Sequence, residues 1–433
     1  MRNLKRALSL ALAAIMLIGM MVVSASAAGF DDFSDKDEIV NKDAVSMLVS
    51  LGIIEGKPDG SYGPTENVDR AQMAKMLSVI MNKGVDNSAL YQSVNSGLVD
   101  VNTNWAKGHI NYCYTTGIIA GRGNGKFDPS ATVTALEAAK MLLVAVGYDP
   151  KIEGFEGADW AINVSVRADE QGIFEGFTKD LSAPLNRDDA ALLIYNALDV
   201  EMIQSYTTNN YPIAYSDHRT ILADKYGVIK VQGVVVANEW ASLASDDGDA
   251  ALKEGKTTIY NGEGIFSTTG NTTVSKEDAS LKTQTFNVST PVDMLGKTVN
   301  LYIKKTTILA DSTVYGDPVV SDVNTVVTTG ETVLYSGAKD PQVDYDKLLG
   351  ENGLTDKDAK YFWNYNSGKY IPNTTEKYGD KTANVKGATL TIIDNNGDGE
   401  VDYVLSVEKA LADITSVNSK KETVTVRTLG TLD

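Results

Sequence analysis

The sequence predicts a multidomain α + β protein: an N-terminal helical bundle made from three copies of one unit, followed by one or two β-rich domains of sandwich type. Three observations carry this. A helix–loop–helix pattern recurs three times between residues 30 and 200. The composition shifts after Val200 toward Thr, Val, Asn, Asp and Gly, and helical periodicity largely stops. A basic and then apolar leader precedes the first copy. The expected boundaries are 1–27 for the leader, 30–86, 95–150 and 152–200 for the copies, and 201–433 for the β-rich region.

The leader opens with Arg2, Lys5 and Arg6, continues as an apolar run from Ala7 to Val23 and ends in Ala25-Ser26-Ala27-Ala28. That order is the one a secretory signal peptide uses, with cleavage after Ala27 or Ala28. An uncleaved anchor is the rival reading, because the run is just long enough to span a bilayer. No later stretch is. Loss of the three basic residues takes the net charge from −18 to −21. So acidic a chain repels nucleic acid and anionic lipid, and it suits solubility outside the cell. One cysteine, Cys113, excludes an intrachain disulfide, and a zinc site would need both histidines, His109 and His218.

The copies align residue for residue. The first carries Leu51-Gly52-Ile53-Ile54-Glu55-Gly56, Pro58-Asp59-Gly60-Ser61-Tyr62 and Val68-Asp69-Arg70-Ala71-Gln72. The second carries Thr116-Gly117-Ile118-Ile119-Ala120-Gly121, Asn124-Gly125-Lys126-Phe127-Asp128-Pro129 and Val133-Thr134-Ala135-Leu136-Glu137. The third carries Gln171-Gly172-Ile173-Phe174-Glu175-Gly176 and Pro184-Leu185-Asn186-Arg187-Asp188-Asp189. Gly52 to Arg70 and Gly117 to Ala135 both span 18 residues; the third copy spans 15, so its loop is shorter. Glycines 52, 117 and 172 fall where a first helix should stop. Asp69, Thr134 and Asn186 are N-cap residues for a second helix, with Gln72 and Glu137 at capping-box spacing. Met73, Met76, Leu77 and Ile80 then repeat at helical spacing, as do Ala138, Met141, Leu142 and Ala145, and Ala190, Leu193, Ile194 and Ala197. One such unit cannot bury its stripe alone; three can share a core.

The order F-x-D, W-A, G-I-x-x-G, D-G-x-F-x-P, T-R-A-E over Phe33 to Asp199 resembles the S-layer homology repeat. The resemblance implies a pseudo-threefold spindle whose grooves hold a secondary cell-wall polysaccharide, often pyruvylated. It also implies binding by an acidic residue near each repeat start, a Trp and an Arg. The chemistry suits those types: an indole covers the C–H face of a sugar, and a guanidinium pairs with a carboxylate through two hydrogen bonds. The matching positions here are Asp35, Arg70, Asp100, Trp105, Trp160 and Arg187. No copy is complete: Val40 replaces the first Trp, Ala135 the second Arg, and Phe155 the third acidic residue, although Asp159 is close by. Grooves between copies would therefore have to combine the Trp of one with the Arg of another, giving one or two working grooves, with Arg122 a stand-in for the missing Arg. The bland alternatives are core anchors for the tryptophans and solvated first-turn residues for the arginines. Cys113 and His109 align with Leu48 and Ala44 and read as structural.

In the second half, Gly227 to Ala237 reads as two strands around a turn, Thr298–Ile303 and Thr389–Ile393 as strands, and Leu354–Lys360 as a short helical turn. Asp394, Asn396, Asp398 and Asp402 occupy positions 1, 3, 5 and 9 of a calcium-loop pattern with Gly399 at position 6. Position 12 is Leu405, so the choice is between calcium in a strand–loop–strand hairpin and a plain polar turn. No cofactor is otherwise required, and no Gly-x-Ser-x-Gly, His-Glu-x-x-His or phosphate loop is present. The expected function is a non-enzymatic, wall-anchored surface or S-layer protein that self-associates in an array. The alternative is an anchored enzyme such as a polysaccharide hydrolase, with its catalytic part in or beyond a C-terminal region read as truncated. A membrane barrel is disfavoured by the lack of regular alternating strands.

Overall fold

The computed structural model describes residues 30–243, 251–262, 267–269, 282–304, 311–329, 345–367, 388–408, 410–419 and 423–431. The expected leader lies outside them. Two units divide at Gly227. Among the described residues the first holds six α-helices, two per copy as the copies predict: α1 (Lys42–Ser50) and α2 (Arg70–Met81), α3 (Lys107–Thr115) and α4 (Ala135–Val146), α5 (Trp160–Glu170) and α6 (Arg187–Leu198), and they pack across copies, α2 on α3, α4 on α5 and α6 on α1. The local signals act as read. Asp69 and Thr134 close capping boxes with Gln72 and Glu137, and the Asn186 side chain accepts from the Asp189 amide at 2.7 Å. Gly52, Gly117 and Gly172 end the first helices at φ of 70°, 80° and 70°, where a side chain would be strained. The apolar stripes of α2, α4 and α6 are buried together, Met76 alone staying half exposed.

The three copies close a ring through their backbones. The Val68 amide donates to the Leu185 carbonyl at 2.8 Å, Leu185 to Val133 at 2.8 Å, and Val133 to Val68 at 2.9 Å. Outside this ring, the first amides of each second helix donate to the loop of another copy. Arg70 and Ala71 reach Ala131 and Pro129, Leu136 reaches Leu181, and Arg187 and Asp188 reach Glu66 and Pro64. Helix N-termini leave such amides unpaired, so each copy supplies the acceptors its neighbour lacks. Copy one thus leans on copy two, two on three, and three on one.

The first unit runs past the expected limit at 200. Strands β1 (Ile203–Tyr206) and β2 (Pro212–Ala214) form a hairpin whose Tyr206 hydroxyl donates to Glu153 at 2.9 Å and accepts from the Asp149 amide. Tyr226 then comes within 3.5 Å of the position a Gly84 Cβ would take.

The second unit is β-rich. In one sheet β3 (Val228–Ala237) lies between β4 (Thr257–Tyr260) and β7 (Thr298–Lys304), and β5 (Ser267–Thr269) also pairs with β3. The edges of that sheet are β6 (Thr283–Phe286), beside β4, and β8 (Thr313–Val320), beside β7. The other sheet runs β11 (Asn366–Ser367), β10 (Lys360–Trp363), β13 (Tyr403–Glu408), β12 (Ala388–Asp394), β9 (Thr325–Thr328), with β10 and β13 parallel. Val231, Leu301 and Ile303 of the first sheet share a core with Phe362, Ile393 and Leu405 of the second, the expected sandwich-like arrangement. Leu390, Ile392 and Val404, on the opposite side of their strands, pack under α7 (Tyr345–Glu351). A ribbon of β14 (Ala410–Asn418) and β15 (Thr423–Thr431) ends the described chain.

Two sequence expectations change here. Val228–Ala237 is one strand, not two around a turn. A Cβ on Gly233 would sit 2.9 Å from the Tyr260 carbonyl oxygen, so this glycine serves close approach between strands. Leu354–Lys360 is not helical. Thr355 is pulled into a bridge with Glu400, its amide donating to Gly399, and Asp356 takes the hydroxyls of Tyr345 and Tyr361. The helix lies earlier, at α7.

A cationic cleft between repeats

The Arg70 side chain leaves the first turn of α2 and enters copy two, where it is only 4% exposed. Its Nε donates to the Phe127 carbonyl at 2.8 Å and a terminal nitrogen donates to Ala120 at 2.9 Å, while the guanidinium lies 4.4 Å from the Phe127 ring centre. It is not a solvated first-turn residue. It forms the floor of a cleft of about 410 Å³ that also takes Arg122, Glu137 and Lys140 from copy two and Phe155, Glu156 and Trp160 from copy three. Arg70 and Trp160, predicted from different copies, therefore line one groove.

Charge in this cleft is crowded. Arg122 pairs with Glu137 at 2.8 Å. Lys140 donates to the Phe155 carbonyl and lies 5.5 Å from the Trp160 ring centre. Burial, and then the Arg122 charge, hold the Arg70 pKa below its ordinary value. Burial lowers Lys140 as well, with Arg70 adding to the effect and Glu156 opposing it. Partly desolvated, mutually repelling cations are relieved by an incoming anion. The cleft can thus accept a carboxylate among its cations and a sugar face on its indole.

Arg187 makes the equivalent junction between copies three and one. Its guanidinium lies 4.7 Å from the Tyr62 ring centre and donates to the Glu55 carbonyl at 3.1 Å, while its Nε is buried without a partner. Trp105 belongs to this junction by register. It is 58% exposed, so it is no core anchor, and its ring meets His109 edge-on at 6.4 Å. His109 is buried against Ser78, and Cys113 is buried, donating to the Ala74 carbonyl.

Asp35 and Asp100 brace loops. Asp35 accepts from the amides of Tyr62 and Gly63 at 2.7 and 2.8 Å; Asp100 accepts from Phe127 and Asp128 at 2.9 and 2.8 Å. Slight burial works against both charges, but these amides hold both pKa values below the ordinary carboxylate range. Both hold the loop whose ring underlies an arginine.

Arg122 enters the Arg70 cleft and not the Ala135 junction. Lys140 and Glu137 are the cleft residues that repeat matching missed. The available signal was Lys140 sharing its register with Lys75 inside an otherwise apolar helix. In the 394–402 loop, Asp394 accepts from the amides of Asn396, Gly397 and Gly399, and Asp402 from Asn395. Asn396 and Asp398 accept from the amides of Asp398 and Glu400. Among the described residues no three acidic, His or Cys groups converge as metal ligands, and no helix is long and apolar enough to cross a membrane.

The S-layer homology domain family matches residues 32–74 and 99–139. The third helix–loop–helix lies outside these matches and joins the other two through the ring of hydrogen bonds described above. The chain is 29% identical over 273 residues to a cell surface protein of Thermoanaerobacter kivui, covering 62% of this chain and 32% of that one. It is 34% identical over 113 residues to an S-layer protein of Bacillus licheniformis, covering 26% of this chain and 12% of that one. A likeness of 30% over 181 residues joins it to an amylopullulanase of Thermoanaerobacterium thermosulfurigenes, covering 39% of this chain and 9% of the enzyme. The chain thus spans a third or less of the length of these relatives.

Proposed function

We propose that this chain, a secreted surface protein of the S-layer type carrying S-layer homology domains, is held to the wall by its inter-repeat cleft. The ligand is an anionic secondary wall polysaccharide, with a carboxylate such as a pyruvyl group among Arg70, Arg122 and Lys140 and a sugar ring on Trp160. The observation that carries this is the convergence of three cations and an indole from three copies in one cleft of a chain whose net charge is −18. So acidic a surface repels polyanions in general, and the cleft is a local exception.

The test is co-sedimentation of the mature chain with purified walls, before and after acid removal of the secondary polymer. Lys140→Met, with its melting curve recorded alongside, is the more informative variant, because Arg70 holds two backbone carbonyls where Lys140 holds one, that of Phe155. Removal of one charge-assisted contact should weaken binding about tenfold or more. Binding that survives polymer removal would sink the proposal. We read the chain as a binding and surface element without catalysis; release of reducing sugar or wall fragments by the purified chain would overturn that part.

A further inference from the structure

At one end of the first sheet of the second unit, the chain leaves β3 through a tight turn, Asn238 to Ser242. Trp240 stands at its tip, 62% exposed. Beneath it lies a buried polar network. Asn238 is fully buried; its amide nitrogen donates to the carbonyls of Thr290 and Pro291, and its Oδ1 accepts from the backbone amides of Trp240 and Ala241. Thr257, also fully buried, donates to the Val288 carbonyl and shares a hydrogen bond with Thr290. Burying three polar side chains is costly unless they are satisfied, and once satisfied they fix a single geometry. Here the geometry fixed is that of a turn whose large apolar side chain points to solvent.

The strand ends next to this turn carry a polar cluster tied together by hydrogen bonds. Glu239 accepts from the Gly255 amide at 2.8 Å and from the Ser289 hydroxyl at 3.3 Å. Lys256 donates to Asn287. These residues meet because β3 ends where β4 begins and β6 ends, in an antiparallel set. An exposed indole on a fixed turn, with a carboxylate next to it in the chain and a hydroxyl, an amide and an ammonium on the adjoining strand ends, suits a pyranose, whose C–H face is apolar and whose rim carries hydroxyls. A turn whose backbone is held in place before binding loses less entropy on binding.

We propose that Trp240, Glu239, Lys256, Asn287 and Ser289 form a second glycan-binding platform, which stacks a sugar ring of the wall polysaccharide on the Trp240 indole. The platform lies in a different unit from the Arg70 cleft and does not depend on it.

The test uses the full mature chain and polysaccharide released by hydrofluoric acid from the walls of the cells that make it, immobilised on a sensor surface. Trp240→Ala should bind about tenfold more weakly, the loss of one stacked indole, and Trp240→Phe should recover most of that. The melting curve should stay unchanged, since the buried network uses the Trp240 backbone and not its ring. The polymer should also quench the part of the fluorescence that Trp240→Ala removes. Equal binding by native chain and Trp240→Ala overturns the platform, as does a change confined to self-association. Lys140→Met, run in parallel, separates the two sites: loss there with none at Trp240 leaves the cleft reading standing and removes this one.

Discussion

Replacing Asp100 with alanine distinguishes a loop brace from a sugar contact. The carboxylate accepts from the Phe127 amide at 2.9 Å and the Asp128 amide at 2.8 Å. Hydrogen bonds to a charged group contribute about 1.5–3 kcal/mol each. Asp128 is exposed and water can take its amide, so most of the loss falls on the Phe127 amide, and the expected cost is about 2–3 kcal/mol. For a unit near 200 residues each kcal/mol moves the melting point by about 2–4 °C, so the first unit should melt roughly 4–12 °C lower. Asp100→Asn keeps one acceptor oxygen and should lose about half as much. The assay is a melt followed by far-ultraviolet circular dichroism, alongside wall co-sedimentation. Because the Phe127 ring and carbonyl hold Arg70, binding should fall with the melting point and recover partly in Asp100→Asn. An unchanged melt with binding abolished would make Asp100 a ligand contact and refute the reasoning.

Other outcomes follow from the same geometry. Asp35 and Asp100 have folded pKa values below the unfolded one, so the stability they give is present above the ordinary aspartate range and is lost as pH falls through it. Buried Asp188, whose pKa burial raises, pulls the other way; the readout is therefore the difference between native chain and Asp100→Asn, which should shrink below about pH 4 in acid melts. Gly233→Ala places a Cβ 2.9 Å from the Tyr260 oxygen and should destabilise the second unit by about 1–3 kcal/mol in urea unfolding, with the first unit unaffected. Millimolar calcium or a chelator should leave the melt of the second unit unchanged, because both Asp394 oxygens and one each of Asn396, Asp398 and Asp402 already accept from the loop's own amides. A rise of several degrees with calcium would show a bound ion.

The helical repeats were legible because their signals are local. A cap, a glycine at the end of a helix and a stripe at helical spacing each act within a few residues, and three aligned copies repeat the reading. The roles of Asp35 and Asp100 were not legible, because their acceptors are satisfied by amides 27 residues or more away, and a backbone amide has no letter in the sequence. Lys140 was hidden for a different reason: a lysine on a helix looks like solvent exposure until Trp160 and Phe155 of another copy are brought against it. In the second unit the run Gly227–Ala237, with Gly233 inside it, was misread as two strands around a turn. Glycine allows both a turn and a close strand approach, and only the partner strand decides between them.

The three junctions are unequal, and the inequality follows from register. Position by position, the Arg70 cleft offers Arg70, Arg122 and Lys140; the Arg187 junction offers Arg187, Lys57 and Lys75; the last offers Ala135, Phe177 and Leu192. Where the first two present Trp160 and Trp105, the third presents Val40, and where they present Glu137 and Gln72 it presents Asp189. Lys179 is paired with that aspartate at 2.5 Å. The third junction makes the ring hydrogen bonds that close the bundle and has neither a cation nor an indole at the positions that carry them in the other two. Its shorter loop fits this division, since a junction that only closes the ring needs backbone acceptors alone, and Leu181 supplies one to Leu136. On the function proposed above, anchoring would rest on at most two clefts. Of these the Arg70 cleft is the better satisfied, because both its arginine donors that turn toward copy two find carbonyls, while the Nε of Arg187 is buried without one.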